Sequence, residues 1–520
     1  MKNRAQALYD QARLIPDNTA VIFEDSTWTF AQLGDQTRSY ASGFAQTGIK
    51  RNDKVALMLS TRPDFIPIEH AIYVLGATLV PLNTLYNGHE VIQALQTCEV
   101  DCLVIDADFA ARLPADFASQ CPCLKSVHVF SMEGFSAISG THDAAGLYRI
   151  AADAPTPVEL DPEDVPMMLY TSATTGKAKG VMITANNLAA NYDATPGVLH
   201  LDADEVILCA LPFYNTFGLN QCINALITLG ATMVLLPRFN AEACLLAIQK
   251  YRCTFLPAVP TMLQKMLYHP NAGEYDLSSL RRFCVGAAPV PAPLLIRLRE
   301  RVAQDALVLN GYGLTEATAI AAIHEVAIGA DGQLLRGKSI GLPIAGVEMA
   351  IKDSEGRTLP PGTVGEICVK GPNVMKGYYK LPEATAEAIV GSWLYTGDIG
   401  IKDEDGYYTI VDRKKDVIIR GGQNIYPADI EEVLYQHPAV AEAAVVAQLD
   451  EVLGEVPKAF VSLKPGAHAS PDELIDHCKK ELSYYKVPAT VEILQDLPKG
   501  PTGKILRREL RANPRGVAAL

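Results

Sequence analysis

Short apolar runs alternate with helical stretches through the first half of this chain, and few architectures accept that pattern. Residues 53–59 read as a strand, 65–72 as a helix with an irregular start, and 77–82 as a strand again. The same alternation recurs through 205–211 and 231–236. It predicts an α/β fold with layered, largely parallel sheets. After about residue 340 the texture becomes strand-rich. Residues 347–351 and 365–369 flank a Gly/Pro turn region, and 399–410 read as two strands around an Asp-Gly turn. The acids Asp403 and Asp405 lack the other loop ligands of an EF-hand, so the expectation there is a solvated hairpin turn. Charge is concentrated at residues 412–416, between apolar strands. The expected organisation is a large domain of α/β layers plus a β-rich subdomain over 1–411, a boundary at 412–416, and a small α+β domain over 417–520.

With 520 residues the chain can build a large core, and its 49% hydrophobic and 20% charged residues are ordinary for a globular protein. A net charge of −14 argues against general nucleic-acid binding, because phosphate backbones favour basic surfaces. The start, residues 1–10, has no uninterrupted apolar core and does not read as a signal peptide. No run of about 18 apolar residues suggests a membrane span. The eleven cysteines form no C-x-x-C pairs, and Cys121-Pro122-Cys123 is too close for a zinc knuckle or redox pair. Reduced, mostly buried thiols in a cytoplasmic protein are the expectation.

One loop concentrates the chemistry. Tyr170-Thr171-Ser172-Ala173-Thr174-Thr175-Gly176-Lys177-Ala178-Lys179-Gly180 follows the apolar run 165–169. Hydroxyls and backbone N–H groups suit phosphate oxygens, glycine permits close approach, and lysine offsets anionic charge. It is not a Walker loop, because Gly176-Lys177 is followed by Ala178 and Thr171 stands five positions before Gly176.

The loop resembles the signature Y-T-S-G-T-T-G-x-P-K-G-V of the adenylate-forming superfamily of acyl- and aryl-CoA ligases, luciferases and peptide-synthetase adenylation domains. Ala173 and Ala178 replace a glycine and a proline, and Ala185 stands where a histidine is usual. The resemblance continues in motif order over nearly the whole chain. It implies an enzyme that uses ATP and Mg²⁺, with Thr171, Ser172, Thr174, Thr175, Gly176 and Lys179 around the phosphates. In Asn310-Gly311-Tyr312-Gly313-Leu314-Thr315-Glu316 it implies Tyr312 against adenine, Thr315 on a phosphate oxygen and Glu316 on the metal, with Gly311 beside them. Gly286, Ala287 and Ala288 form the small-residue turn near adenine and the acyl group. Asp398 and Arg413 are implied at the ribose. Lys504, in Pro498-Lys499-Gly500-Pro501-Thr502-Gly503-Lys504-Ile505, is implied as the adenylation lysine. Lys415 takes the hinge position, so the domain over 417–520 is expected to be mobile, with Arg420, Gly421 and Gly422 approaching from the acceptor side.

The resemblance implies a small carboxylic acid activated as its adenylate, then transferred to CoA. Residues 211–219 match the place where relatives read P-L-F-H-x-x-G, with Asn215 replacing the histidine. Asn215 carries no charge for an α-ammonium, which disfavours a free amino acid. Tyr214, Asn215, Phe217 and Gly286 are the expected acid pocket, suited to an aryl, cyclic or medium-chain acid. An amine acceptor, as in coronafacate-ligase-like amide synthetases, is the alternative to CoA. A non-catalytic nucleotide-binding protein is a third reading, disfavoured by Lys179, Thr315, Glu316, Asp398, Arg413 and Lys504.

Overall fold

The computed structural model describes residues 1–130, 141–149, 154–171, 179–288, 290, 292–302, 305–329, 333–421, 423–500 and 505–512. Two large sheets build the first four-fifths of the chain. One has 14 strands. Its parallel part runs from Leu307–Leu314 through Arg282–Gly286, Phe255–Ala258, Val206–Cys209 and Thr232–Leu235 to Thr19–Phe23. The strands expected after residue 340 form no separate sheet. They extend this one antiparallel through Ala319–Glu325, Ser339–Pro343, Tyr408–Arg413, Trp393–Lys402, Gly365–Lys370 and Glu348–Lys352. At the tip of the hairpin between Trp393–Lys402 and Tyr408–Arg413, Arg336 pairs with both Asp403 and Asp405. The two acids share that one cation and stay largely exposed, as a solvated hairpin turn does.

The second sheet is parallel across Thr78–Pro81, Lys54–Met58, Cys102–Asp106 and Ser126–Phe130. Met167–Thr171 joins it beside Thr78–Pro81 and pairs antiparallel with Lys179–Ile183, with Thr171 opposite Lys179. The hydroxyl-rich segment is thus the connection of a hairpin, and both its ends are fixed by strand pairing.

Helix Phe65–Val74 buries all ten of its residues, packing against helices Arg4–Leu14 and Phe30–Gln46 and strand Thr78–Pro81. A helix apolar nearly all round has no solvent face, so its polar residues go inside as well. Glu69 is 4% exposed, accepts a 2.9 Å hydrogen bond from the Tyr73 hydroxyl, and has no partner for Oε2 among the described residues. Burial pushes its carboxyl up to about 7. Burial likewise lowers His70 to about 4, and its Nδ1 lies 2.8 Å from the Ile66 carbonyl.

The small domain folds around its own sheet. Gly454–Leu463 pairs with Val440–Asp450 and, in parallel, with Thr490–Leu494, while Ile418–Arg420 and Gln423–Ile425 form a hairpin at its side. Helices Pro427–Gln436 and Pro471–Glu481 cover it, the second started by a reciprocal Ser470–Glu473 cap. Among the described residues, polar contacts tie the small domain to the large one and to the connecting chain. Gln264 Nε2 donates to the Ala441 carbonyl at 2.8 Å, Lys338 pairs with Glu432, and the Ala428 N–H donates to Asp412 Oδ2 at 2.9 Å. Among the described residues, no helix is long and apolar enough to cross a membrane.

The raised value of Glu69 fixes the sign of a pH effect. Its contribution to stability is complete below the ordinary value of 4.5 and is lost as pH rises through about 7. The loss amounts to about 3 kcal/mol. Glu69→Gln cannot ionise, so its melting temperature should decline less than that of the wild type between about pH 5 and about pH 8. Parallel melting curves against pH would contradict this account.

Candidate active site

Three strand ends and one short turn gather the candidate residues. Strand Leu307–Leu314 runs into a single turn of helix, Thr315–Ala317, and the chain then reverses at the buried Thr318 with φ +66°. A Cβ at Gly313 would lie 1.5 Å from the Ala319 carbonyl oxygen, so only glycine allows this reversal. The Thr318 hydroxyl donates to the Asn373 carbonyl at 2.7 Å, and Asn187 Nδ2 donates to the carbonyls of Pro372 and Val374, both at 2.8 Å. The Met375 N–H then donates to the Glu316 carbonyl at 2.8 Å. Glu316 is held from both sides, and its carboxylate is half-buried.

A residue the sequence reading missed lies at the centre of this group. Tyr378, in a two-residue strand paired with Lys179–Ile183, donates its hydroxyl to Glu316 Oε1 at 3.0 Å. Its ring faces Lys179, whose Nζ is 4.6 Å from the ring centroid. Burial, reinforced by the Glu316 charge, pushes the phenol well above its ordinary range, so it stays a donor. One tyrosine therefore spaces the candidate phosphate lysine from the candidate metal carboxylate. The only sequence signal was the pair Tyr378-Tyr379 after Gly377.

A second group sits on three strands inside the large sheet. Asp398 and Arg413 are register partners, and Arg413 Nε lies 2.7 Å from Asp398 Oδ1. The Tyr312 hydroxyl donates to Asp398 Oδ2 at 2.7 Å. The Asp398 side chain is 3% exposed. Tyr312 is itself buried, and burial together with the Asp398 charge drives its phenol far upward. Beside it, Gly286 and Gly311 are register partners, and a Cβ at Gly286 would lie 2.5 Å from the Gly311 oxygen. Ala287 is exposed at φ +67°, a left-handed conformation that costs a non-glycine residue about 1 kcal/mol, and Ala288 is half-buried. Strain of this kind gathers at functional turns.

In the expected acid pocket, Asn215 Oδ1 accepts from the Gly218 N–H at 3.0 Å and so caps the helix that begins at Thr216. Tyr214 and Phe217 are half-buried, and burial raises the Tyr214 phenol. The same helix is π-helical over Leu219–Asn224, where Gln221 is buried with Oε1 unpartnered among the described residues. π-turns recur at functional sites, and Gln221 went unnoticed because periodicity does not reveal them.

The structure joins Lys179 to Glu316 through Tyr378, and joins Tyr312, Asp398 and Arg413 to one another. Ser172, Thr174, Thr175, Gly176, Gly422 and Lys504 lie outside the described residues, and for Thr171 only the backbone is described. Beyond the large sheet, Lys415 is exposed. Arg420 donates to the Tyr485 and Tyr484 carbonyls at 2.5 and 3.4 Å, and Gly421, at φ +56°, donates its N–H to the Leu453 carbonyl. Among the described residues no three His, Cys, Asp or Glu side chains cluster as a metal site. Glu316 fits magnesium in a different way, since that ion takes one or two carboxylates and fills its shell with water and substrate phosphates.

Residues 8–379 match the family model described as AMP-binding enzyme, and 429–504 match the AMP-binding enzyme C-terminal domain. The chain is 36% identical to a 2-succinylbenzoate–CoA ligase of Bacillus cereus over 98% of each protein. Among solved structures it resembles the o-succinylbenzoate CoA synthetase of Bacillus subtilis bound to its acyl-adenylate, with a TM-score of 0.82, 33% identity and 97% of each chain covered. That synthetase has also been solved with ATP and magnesium ion. The chain also resembles an amide bond synthetase from Marinactinospora thermotolerans, with a TM-score of 0.85, 29% identity and 98% of each chain covered.

Tyr378→Phe should weaken the grip on Glu316. A hydrogen bond to a charged group contributes about 1.5–3 kcal/mol, which corresponds to a loss of about tenfold or more in magnesium-dependent ATP turnover. Tyr379→Phe, whose hydroxyl serves Glu99 instead, should leave turnover unchanged. Equal effects from the two variants would remove Tyr378 from the site.

Proposed function

This chain belongs to the AMP-binding enzyme family of adenylate-forming ligases, and we propose that it joins a small carboxylic acid to coenzyme A in two steps. In the first, the acid's carboxylate oxygen attacks the α-phosphorus of ATP. The bond to the bridging oxygen breaks and pyrophosphate leaves, giving an acyl-adenylate. In the second, the CoA thiol, losing its proton, attacks the acyl carbon and AMP leaves. A free carboxylate has a poor leaving group, and the mixed anhydride replaces it with a good one.

The observation that carries this reading is the array Lys179–Tyr378–Glu316. It holds a cation and a carboxylate on two sides of one ring. Lys179 would meet the departing pyrophosphate, with the hydroxyls of Thr171, Ser172, Thr174 and Thr175 and the backbone at Gly176. Glu316 would hold magnesium, which when bound neutralises phosphate charge, and Thr315 would steady a phosphate oxygen. Tyr312, Ala287 and Ala288 would border adenine, with Gly286 and Gly311 as the flat floor between them. Asp398 and Arg413, already paired, would present their remaining lone pairs and N–H groups to the ribose. Lys504 would bridge the acid's carboxylate and the α-phosphate, where one charge pair at about 4 Å contributes about 4 kcal/mol before desolvation. Only interactions that strengthen toward the transition state speed the reaction.

The division into 1–411, a hinge at 412–416 and a mobile 417–520 belongs to the same reading. Lys415 would turn Lys504 away after the first step and bring Arg420, Gly421 and Gly422 toward the acceptor. Tyr214, Asn215 and Phe217 would border an aryl, cyclic or medium-chain acid. One observation favours a second acceptor: the whole-length likeness to an amide bond synthetase. In that reading an amine attacks the same adenylate.

The test uses purified protein, ATP, Mg²⁺ and a panel of acids: 2-succinylbenzoate, anthranilate, benzoate, cyclohexanecarboxylate and octanoate. Pyrophosphate release and acyl product are followed with CoA, with amines, or with neither. Thioester formation with at least one acid is expected. Product only with amines would replace the CoA reading, and no adenylate with any acid would overturn the ligase itself. Lys504→Ala should slow ATP–pyrophosphate exchange by about 100-fold or more while a preformed adenylate is still consumed. Unchanged exchange would remove Lys504 from its role.

A further inference from the structure

Arg507 stands three residues beyond Lys504, at the start of helix Arg507–Ala512. Its Nη2 donates to both oxygens of Glu431 at 2.7 Å, and its Nη1 lies 3.6 Å from Asp416 Oδ2. Glu431 lies in helix Pro427–Gln436 and also accepts from the Val445 N–H at 2.7 Å. Asp416 is the last residue of the 412–416 segment and also takes Arg511 Nη2 at 2.8 Å. Both carboxylates are buried, so each depends on these partners. The chain entering this cluster is pinned as well. Lys499 and Ile505 form an antiparallel bridge, and the Leu506 N–H donates to the Pro498 carbonyl at 2.8 Å. Lys499 pairs with Glu442 at 2.7 Å and Asp496 at 2.6 Å. Leu510 packs with Ala444, Val446, Phe460 and Leu497.

We propose that Arg507 is the positioning residue of the adenylation lysine. Its guanidinium fastens the chain just past Lys504 to the hinge exit at Asp416 and to the helix at Glu431. Residues 505–512, the hinge exit and the helix then form one body, and the pivot lies upstream of Asp416. A planar guanidinium with five donors can hold two carboxylates at once, which a lysine ammonium does with poorer geometry. A reacting group displaced by about 1 Å can lose about a hundredfold in rate. This inference rests on the ligase reading above and on the role given there to Lys504.

The test is a double-mutant cycle in the full-length protein, using ATP, Mg²⁺ and whichever panel acid gives the fastest pyrophosphate release. Arg507→Gln should slow ATP–pyrophosphate exchange about tenfold to a hundredfold, with KM for ATP within about twofold and consumption of preformed acyl-adenylate unchanged. In a Lys504→Ala background the same substitution should add no further loss, because Arg507 acts through the lysine. Arg507→Lys should recover part of the exchange rate. Losses that multiply in the Lys504→Ala background, or equal slowing of both half-reactions, would overturn the proposal while leaving the ligase reading intact. Wild-type exchange in Lys504→Ala itself would overturn both the lysine's role and this inference. If Arg507→Gln does not fold, Asp416→Asn carries the test. It should show the same split between half-reactions, and undiminished exchange in it would overturn the proposal.

Discussion

The ion pair on which this structure turns joins the buried Asp398 to the partly exposed Arg413, on neighbouring strands inside the large sheet. Asp398, accepting from Tyr312 and paired with Arg413, draws together three strands of that sheet. In sheet order, Ala319–Glu325 and Ser339–Pro343 separate the Tyr312 strand from the other two. Stripping a buried carboxylate of one partner costs about 3–5 kcal/mol, so the three residues hold or fail together. The carboxylate therefore ties the parallel half of the sheet to the antiparallel half. It does so at the residue where the chain leaves for the small domain. The Asp416 and Val417 N–H groups both donate to the Arg413 carbonyl, at 2.9 and 3.2 Å, so the turn outward starts from a fixed point.

Local pattern made much of this fold legible in the sequence. The strands at 54–58, 78–81, 206–209 and 232–235 fall inside the apolar runs that announced them, and the helix at 65–74 contains its expected stretch. Such runs are read from period and composition alone. What stayed hidden depended on distant pairing. The strand-rich texture after residue 340 was legible, but not its attachment: Tyr408–Arg413 pairs with Ser339–Pro343 and so continues the large sheet. Register across nearly 70 residues leaves no mark on either strand. The hydroxyl-rich loop was recognisable by composition, but the antiparallel pairing of the strands that flank it was not.

The site divides along the same line. Lys179, Glu316, Asp398 and Arg413 were visible because their motifs are contiguous. Tyr378 was not, because its role arises only when Gly377–Tyr378 lies against Met182 and Val181, some 200 residues earlier. Asn215 has a duty its motif did not show: its Oδ1 accepts from the Gly218 N–H and caps the helix behind. A polar side chain at a helix start satisfies the backbone before it serves a ligand. Composition does not distinguish those duties.

The two domains hold their candidate residues with equal firmness but through separate partners. Residues up to Arg413 are fixed by sheet register and the Asp398–Arg413 pair. Arg420 and Arg507 are fixed just as firmly, but to partners within 412–520: the carbonyls of Tyr484 and Tyr485, and the carboxylates of Asp416 and Glu431. Between residues 1–411 and 417–520 the polar ties include the Gln264–Ala441 bond and the Lys338–Glu432 pair. Exposed pairs of the Lys338 kind contribute about 0–1 kcal/mol, far less than the interactions inside either body. In the proposed two-step reaction, a chain built this way would keep each half of the candidate site rigid and rearrange at the junction. Such an arrangement suits a reaction whose two steps place different demands on one adenylate.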